Sequence, residues 1–228
     1  MQREHENHLK DAEATRQYWN AFYTGHDIHE ASPFFHVVQR AFSHDFLVVD
    51  VGCGSGRDAF SFATSGYEVC AFDQSETVIS KNNDKIVSLA SNDVQLSFEV
   101  IDLSDPVELQ RFFARVRLQA TVKKKYLLIY MRFLLHAIDE STQQILFDVL
   151  SQELVTGDGM AMEFRTIEDQ FLNKTYQNHF RRFIDSEKLV DEMNIQHRMD
   201  VFHFVKGTGY SKYNDEDPYL AQLLMIKK

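Results

Sequence analysis

Three glycines alternate with small residues in Asp50-Val51-Gly52-Cys53-Gly54-Ser55-Gly56-Arg57, directly behind the apolar run Phe46-Leu47-Val48-Val49. Residues without a Cβ let a ligand lie against the backbone and permit the positive φ values of a sharp strand-to-helix bend. A second acidic residue, Asp73, follows 17 positions beyond Gly56, and a third, Asp102, closes another apolar stretch. In a parallel βαβ unit, a carboxylate at that interval can accept hydrogen bonds from both hydroxyls of a ribose. Further along, Arg132, His136, Glu163, Arg165, His179, Arg181 and Arg182 interrupt or follow apolar segments. Buried without partners, such groups are costly. They can hold an anion by bidentate contacts, or take a proton from a hydroxyl or amine through His136, His179 or Glu163.

These residues need a sheet whose strands end on one side. Apolar runs at 46–51, 67–72, 94–101, 126–130 and 160–165 read as strands, and the segments between them at 58–65, 76–89, 105–118, 140–154 and 186–193 read as helices. Aromatic residues at helical spacing predict two helices ahead of the first strand, at 7–24 and 33–44. Two terminal strands, 196–205 and 219–226, are separated by a loop too long for a tight hairpin. Each acidic residue has a plainer role available: Asp73 or Ser75 can cap the helix that follows, and the glycines can make a bend that binds nothing.

A length of 228 residues with 44% hydrophobic residues suits one domain, and a formal charge of −10 argues against binding nucleic acid through phosphate neutralisation. The two cysteines, Cys53 and Cys70, lack metal-ligand spacing, so no metal is expected. No signal peptide or apolar run of spanning length is evident, which predicts a cytoplasmic protein that does not insert into membranes. Oligomeric state is not legible.

The pattern Asp-x-Gly-x-Gly-x-Gly at Asp50 to Gly56 resembles motif I of the class I S-adenosylmethionine-dependent methyltransferases, and the likeness extends over roughly residues 15 to 228. It implies an α/β fold: a seven-stranded, mostly parallel sheet in the order 3-2-1-4-5-7-6 with strand 7 antiparallel, helices on both faces, and N-terminal lid helices. Residues 1–44 would form the lid and 45–228 the methyltransferase domain. It further implies that Gly52, Cys53, Gly54, Gly56 and Arg57 line the methionine part of S-adenosylmethionine, with Asp50 near its cationic end. Asp73 and Gln74 would hold the ribose, Asp102 the adenine amino group, and Leu103 the ring. Tyr130, Met131 and Arg132 would stand where methyl donor and acceptor meet, and Tyr18 and Trp19 would close the lid, Trp19 alternatively serving as a packing anchor. S-adenosylhomocysteine would be the product, and His136, Arg132, Glu163, Arg165, His179 and Arg181 the catalytic set.

The acceptor implied is a small molecule or glycan. The basic cluster tilts it towards a phosphate- or carboxylate-bearing acceptor, with a sugar hydroxyl as the other choice. A looser likeness of Arg132–Ile138 and Asp215–Pro218 is to methyltransferases found with bacterial surface-polysaccharide enzymes. Two rival classes share parts of the pattern. An NAD-dependent oxidoreductase would keep Asp73 but wants G-x-G-x-x-G, where Arg57 stands at the third position; a non-catalytic partner subunit would keep the fold and lack an acceptor site. Tyr130-Met131-Arg132-Phe133 replaces the Asn/Asp-Pro-Pro-aromatic signature of nucleic-acid methyltransferases.

Overall fold

The computed structural model describes residues 30–88, 94–172, 174, 180–213 and 215–228. Seven strands, β1 Phe46–Val51, β2 Glu68–Asp73, β3 Leu96–Val100, β4 Tyr126–Arg132, β5 Gly159–Arg165, β6 Met199–Gly207 and β7 Leu220–Lys227, form one sheet in the order β3-β2-β1-β4-β5-β7-β6. All neighbours are parallel except β7, which runs antiparallel to both β5 and β6. The α/β class, the strand order and the reversed strand 7 are those expected.

Alternation along the strands builds two apolar layers. Leu47, Val49 and Val51 face a core shared with α4 (Pro106–Val122), α5 (Glu140–Glu153) and α6 (Ser186–Ile195). Val48, Leu128, Tyr130 and Ala161 face the other, closed by α1 (Pro33–Ala41), α2 (Arg57–Thr64) and α3 (Glu76–Ser88). Ser32 starts α1, its side chain accepting from the Phe35 N–H, and Pro33 stands in the first turn, where a missing N–H costs nothing. Phe34, Phe35 and Val38 then bury against the sheet, so α1 is packed into this layer.

Several boundaries differ from the sequence reading. Helix α4 runs to Val122, one turn beyond the expected end near Leu118, because Ala120 continues the buried stripe of Val116. It stops where Lys124 takes a left-handed φ of 57°. Strand β4 extends past Tyr130 to Arg132, and β3 shortens to Leu96–Val100. Residue Gln196 caps α6 instead of opening β6. Among the described residues, no helix is long and apolar enough to cross a membrane.

Candidate functional site

The glycine bend is shaped before any ligand arrives. The Gly52 and Cys53 N–H groups both donate to the Phe72 carbonyl, at 2.9 and 3.0 Å, which folds the end of β1 against that of β2. Gly52, Gly54 and Gly56 hold φ values of 70, 51 and 74°, a region costing an ordinary residue roughly 1–2 kcal/mol. Gly56 is the N-cap of α2 and has no side chain to cap it. Asp50 is buried at the end of β1, two residues ahead of Gly52. Burial, followed by the nearby Asp58 and Asp73 charges, pushes the Asp50 carboxyl well above the usual carboxylate range.

Asp73, at the tip of β2, faces this bend. Its Oδ2 accepts from the Gly54 N–H and its Oδ1 from the Ser75 N–H, both at 3.0 Å. Burial raises its pKa and these backbone donors oppose the rise. Capping of α3 falls to Ser75, whose Oγ accepts from the Val78 N–H at 3.3 Å. A carboxylate has about four acceptor positions, so Asp73 keeps capacity for hydroxyl donors. Gln74 is exposed beside it. The Gly54 carbonyl in turn accepts from Asn82 Nδ2 of α3 at 2.8 Å.

Asp102 lies at the end of β3 but is exposed, and its Oδ1 accepts from the Ser104 N–H and Oγ at 2.8 and 2.7 Å. Leu103 packs on the layer of α4, α5 and α6. Cys53 is half-buried, and burial followed by Asp50 and Asp73 pushes its thiol pKa upward.

Arg57 and Asp58 tie the entering chain to the bend. Arg57 donates from Nε to the Glu30 carbonyl at 2.6 Å and from its terminal nitrogen to that of Ala31 at 3.2 Å. Asp58 accepts from the Ser32 N–H and Oγ and, at 2.6 Å, from the Tyr130 hydroxyl. Tyr130 stacks on Phe34 inside the core, and Met131 points into the opposite core. Both were expected where donor and acceptor meet; alternation in β4 sends their side chains into the two apolar layers instead.

At the exit of β4 the register makes a polar row across the sheet. Arg132 of β4 pairs with Glu163 of β5, which pairs with Gln222 of β7. Arg132 Nε donates to Glu163 Oε1 at 3.0 Å, Gln222 Nε2 donates to Glu163 Oε2 at 2.7 Å, and Arg132 reaches Ser211 Oγ at 2.8 Å. Its guanidinium also lies 4.3 Å from the centroid of the Phe133 ring. Phe133 has a left-handed φ of 58°, and Leu134 beyond it approaches Gly52 so closely that a Cβ there would stand 2.8 Å from Leu134 Cδ1.

Arg165 is clasped between Asp169, at 2.8 Å, and Glu216. His136 Nδ1 accepts from the Arg165 N–H at 3.2 Å, which puts the proton of a neutral ring on Nε2, and the His136 carbonyl accepts from the Arg182 N–H. Arg182 also donates to Gln143, and Arg181 is half-buried. His179, Tyr18 and Trp19 lie outside the described residues. The arginines of β4 and β5 are thus gathered near one end of the sheet as expected, but their charges are met by Glu163, Asp169 and Glu216. That pairing accounts for Arg132 and Arg165, two of the six basic groups.

Asp58, Asn82, Gln222, Ser211 and Asp169 join the site beyond the residues expected from the sequence, and Glu216 belongs to the Asp215–Pro218 segment. Two carried a signal: Asn82 stands in the apolar stripe of Val78 and Ile79, and Gln222 is a lone polar residue in an apolar strand. Asp58 stands in the first turn of α2, Asp169 in a 3-10 turn four residues after Arg165, and Ser211 and Glu216 in the loop between β6 and β7. Among the described residues, no group of three or more His, Cys, Asp or Glu side chains is placed to hold a metal ion.

A sheet of this order, bent through glycines after β1 and carrying an acid at the tip of β2, is the fold of the class I S-adenosylmethionine-dependent methyltransferases. A family described as tellurite resistance protein TehB matches residues 15–122. Among solved structures, the chain is similar to an S-adenosylmethionine-dependent methyltransferase from Anabaena variabilis, with TM-score 0.69, 17% identity and 95% of each chain covered. It is also similar to the glycopeptide N-methyltransferase MtfA complexed with S-adenosylmethionine, with TM-score 0.61, 14% identity, and 89% of this chain and 96% of that one covered. The magnesium protoporphyrin IX methyltransferase of Synechocystis, with S-adenosylmethionine bound, gives TM-score 0.57 and 13% identity over 96% of this chain and 83% of that one. No curated protein matches the sequence.

Proposed function

We propose that the chain is an S-adenosylmethionine-dependent methyltransferase acting on a small-molecule or glycan acceptor. The observation that carries this reading is the Gly54–Asp73 contact, which sets a carboxylate with spare acceptor capacity against a bend that has no side chains. The residues fit the cofactor: Asp73 suits a ribose, and the bare backbone from Gly52 to Gly56 suits the methionine part. When bound, that cofactor supplies an activated methyl group, so the protein's task is alignment and exclusion of water. Neighbours of the same fold with the cofactor bound support it.

For the acceptor, the compensated arginines favour a hydroxyl-bearing group, as on a sugar, over a phosphate or carboxylate. Glu163 is committed to Arg132 and Gln222, and His136 Nδ1 to the Arg165 N–H. His179 is the remaining candidate base. The free thiols of Cys53 and Cys70 support a reducing, cytoplasmic setting.

Calorimetric titration tests the reading. The protein should bind S-adenosylhomocysteine and ignore NADH, and Asp73→Ala should lose the binding. Binding of NADH instead would make it an oxidoreductase; binding of S-adenosylhomocysteine without turnover on any hydroxyl-bearing, amine or anionic acceptor would favour a non-catalytic partner subunit.

A further inference from the structure

The peptide groups on both sides of Gly54 are held by other side chains. The N–H donates to Asp73 from β2, and the carbonyl accepts from Asn82 in α3. Asn82 is 1% exposed and sits on the face of α3 that also buries Val78 and Ile79. An apolar residue would serve packing there better, because a buried amide is tolerated only where it finds a partner. The partner is the carbonyl of Gly54, which holds a left-handed φ of 51° within the bend.

We propose that Asn82 is a positioning residue for the cofactor: it holds the Gly54 peptide so that the bend is formed before ligand binds, and Asp73 is thereby kept aimed at the ribose position. The inference rests on the cofactor assigned above. It adds that part of the affinity is stored as order in the free protein, since a loop already in its bound shape loses less entropy on binding. Asp73 holds the N–H side of Gly54; on the carbonyl side the other contact is the weak thiol donor Cys53 Sγ at 3.8 Å, so Asn82 supplies the firmer hold.

The test uses Asn82→Asp, which keeps the shape and removes the donor, and Asn82→Ser, whose hydroxyl is too short to reach the carbonyl. Thermal melting first establishes that each variant folds, and Asn82→Ser serves where the buried charge of Asn82→Asp prevents folding. Amide hydrogen exchange of the segment 52–56 is then read in the ligand-free protein, alongside S-adenosylhomocysteine affinity. Exchange there should quicken about tenfold, with segments in α4 and α5 unchanged, and affinity should fall about tenfold, the equivalent of about 1.4 kcal/mol. The Michaelis constant for S-adenosylmethionine should rise, with kcat at saturation little changed.

Unchanged exchange in the bend overturns the positioning role whatever the ligand proves to be. Quickened exchange with unchanged S-adenosylhomocysteine affinity overturns the link to binding. Failure of the wild-type protein to bind S-adenosylhomocysteine rejects the cofactor reading and this inference's ligand with it, while quickened exchange in the same experiment still upholds the clamp itself.

Discussion

Arg132 and Glu163 face each other across β4 and β5 as register partners, 3.0 Å apart, with the carboxylate wholly buried and the guanidinium still partly open. Burial pushes the Glu163 pKa up, and Arg132 and Gln222 pull it down. Removing one partner strands the other. Glu163→Ala should therefore lose about 3–5 kcal/mol in urea unfolding. The double change Arg132→Leu with Glu163→Leu should regain most of that loss.

Asp50 predicts an unusual pH profile. Its carboxyl, raised first by burial and then by Asp58 and Asp73, holds a proton in the folded protein at pH values where the unfolded chain has released it. Stability conferred by that proton is present at low pH and falls away as pH rises from the ordinary value of 3.8 through the raised one. The slope approaches about 1.4 kcal/mol per pH unit within that window. Asp50→Asn should flatten this component, so that the variant gains on the wild type as pH rises above the ordinary carboxylate value. Urea midpoints across that range check it, and a growing deficit of the variant with rising pH would contradict it.

Two glycines separate strain from function. Gly52 and Gly209 have φ values of 70 and 88°, so alanine at either should cost roughly 1–2 kcal/mol of stability. A Cβ at Gly209 meets nothing within 4 Å, whereas at Gly52 it displaces Leu134 beside the bend. Melting curves should show similar losses, and only Gly52→Ala should lose S-adenosylhomocysteine binding.

The loop between β6 and β7 is fastened to the sheet by two side chains, Ser211 to Arg132 and Glu216 to Arg165. Glu216→Gln with Ser211→Ala should release it. Limited proteolysis should then cut within 208–217 at least several times faster than in the wild type, with melting temperature lowered by only a few degrees. Equal cutting rates would show that the turn closed by the paired Tyr213 and Glu216 backbones suffices to hold the loop.

Much of this architecture is legible in the chain because it depends on local pattern. The run Phe46 to Val51, the alternating glycines and Asp73 lie within one βαβ unit, where strand period and helix length set their spacing without help from the rest of the molecule. The alternation of strand and helix establishes the α/β class for the same reason, and tertiary packing adjusts only the ends, as where Ala120 draws α4 on by a turn.

The polar groups at the exit of β4 and β5 are another matter. Residue types mark Arg132, His136, Glu163 and Arg165 as needing partners, but whether a partner is a ligand or another side chain depends on which distant loops arrive. Ser211, Glu216 and Gln222 come from 51 to 79 residues away along the chain and, with the nearby Asp169, give Arg132, Glu163 and Arg165 their partners. The position of a charge is a local property of the chain. Its neutralisation is a property of the assembled sheet, because electrostatic pairing follows distance in space and takes no account of separation in sequence.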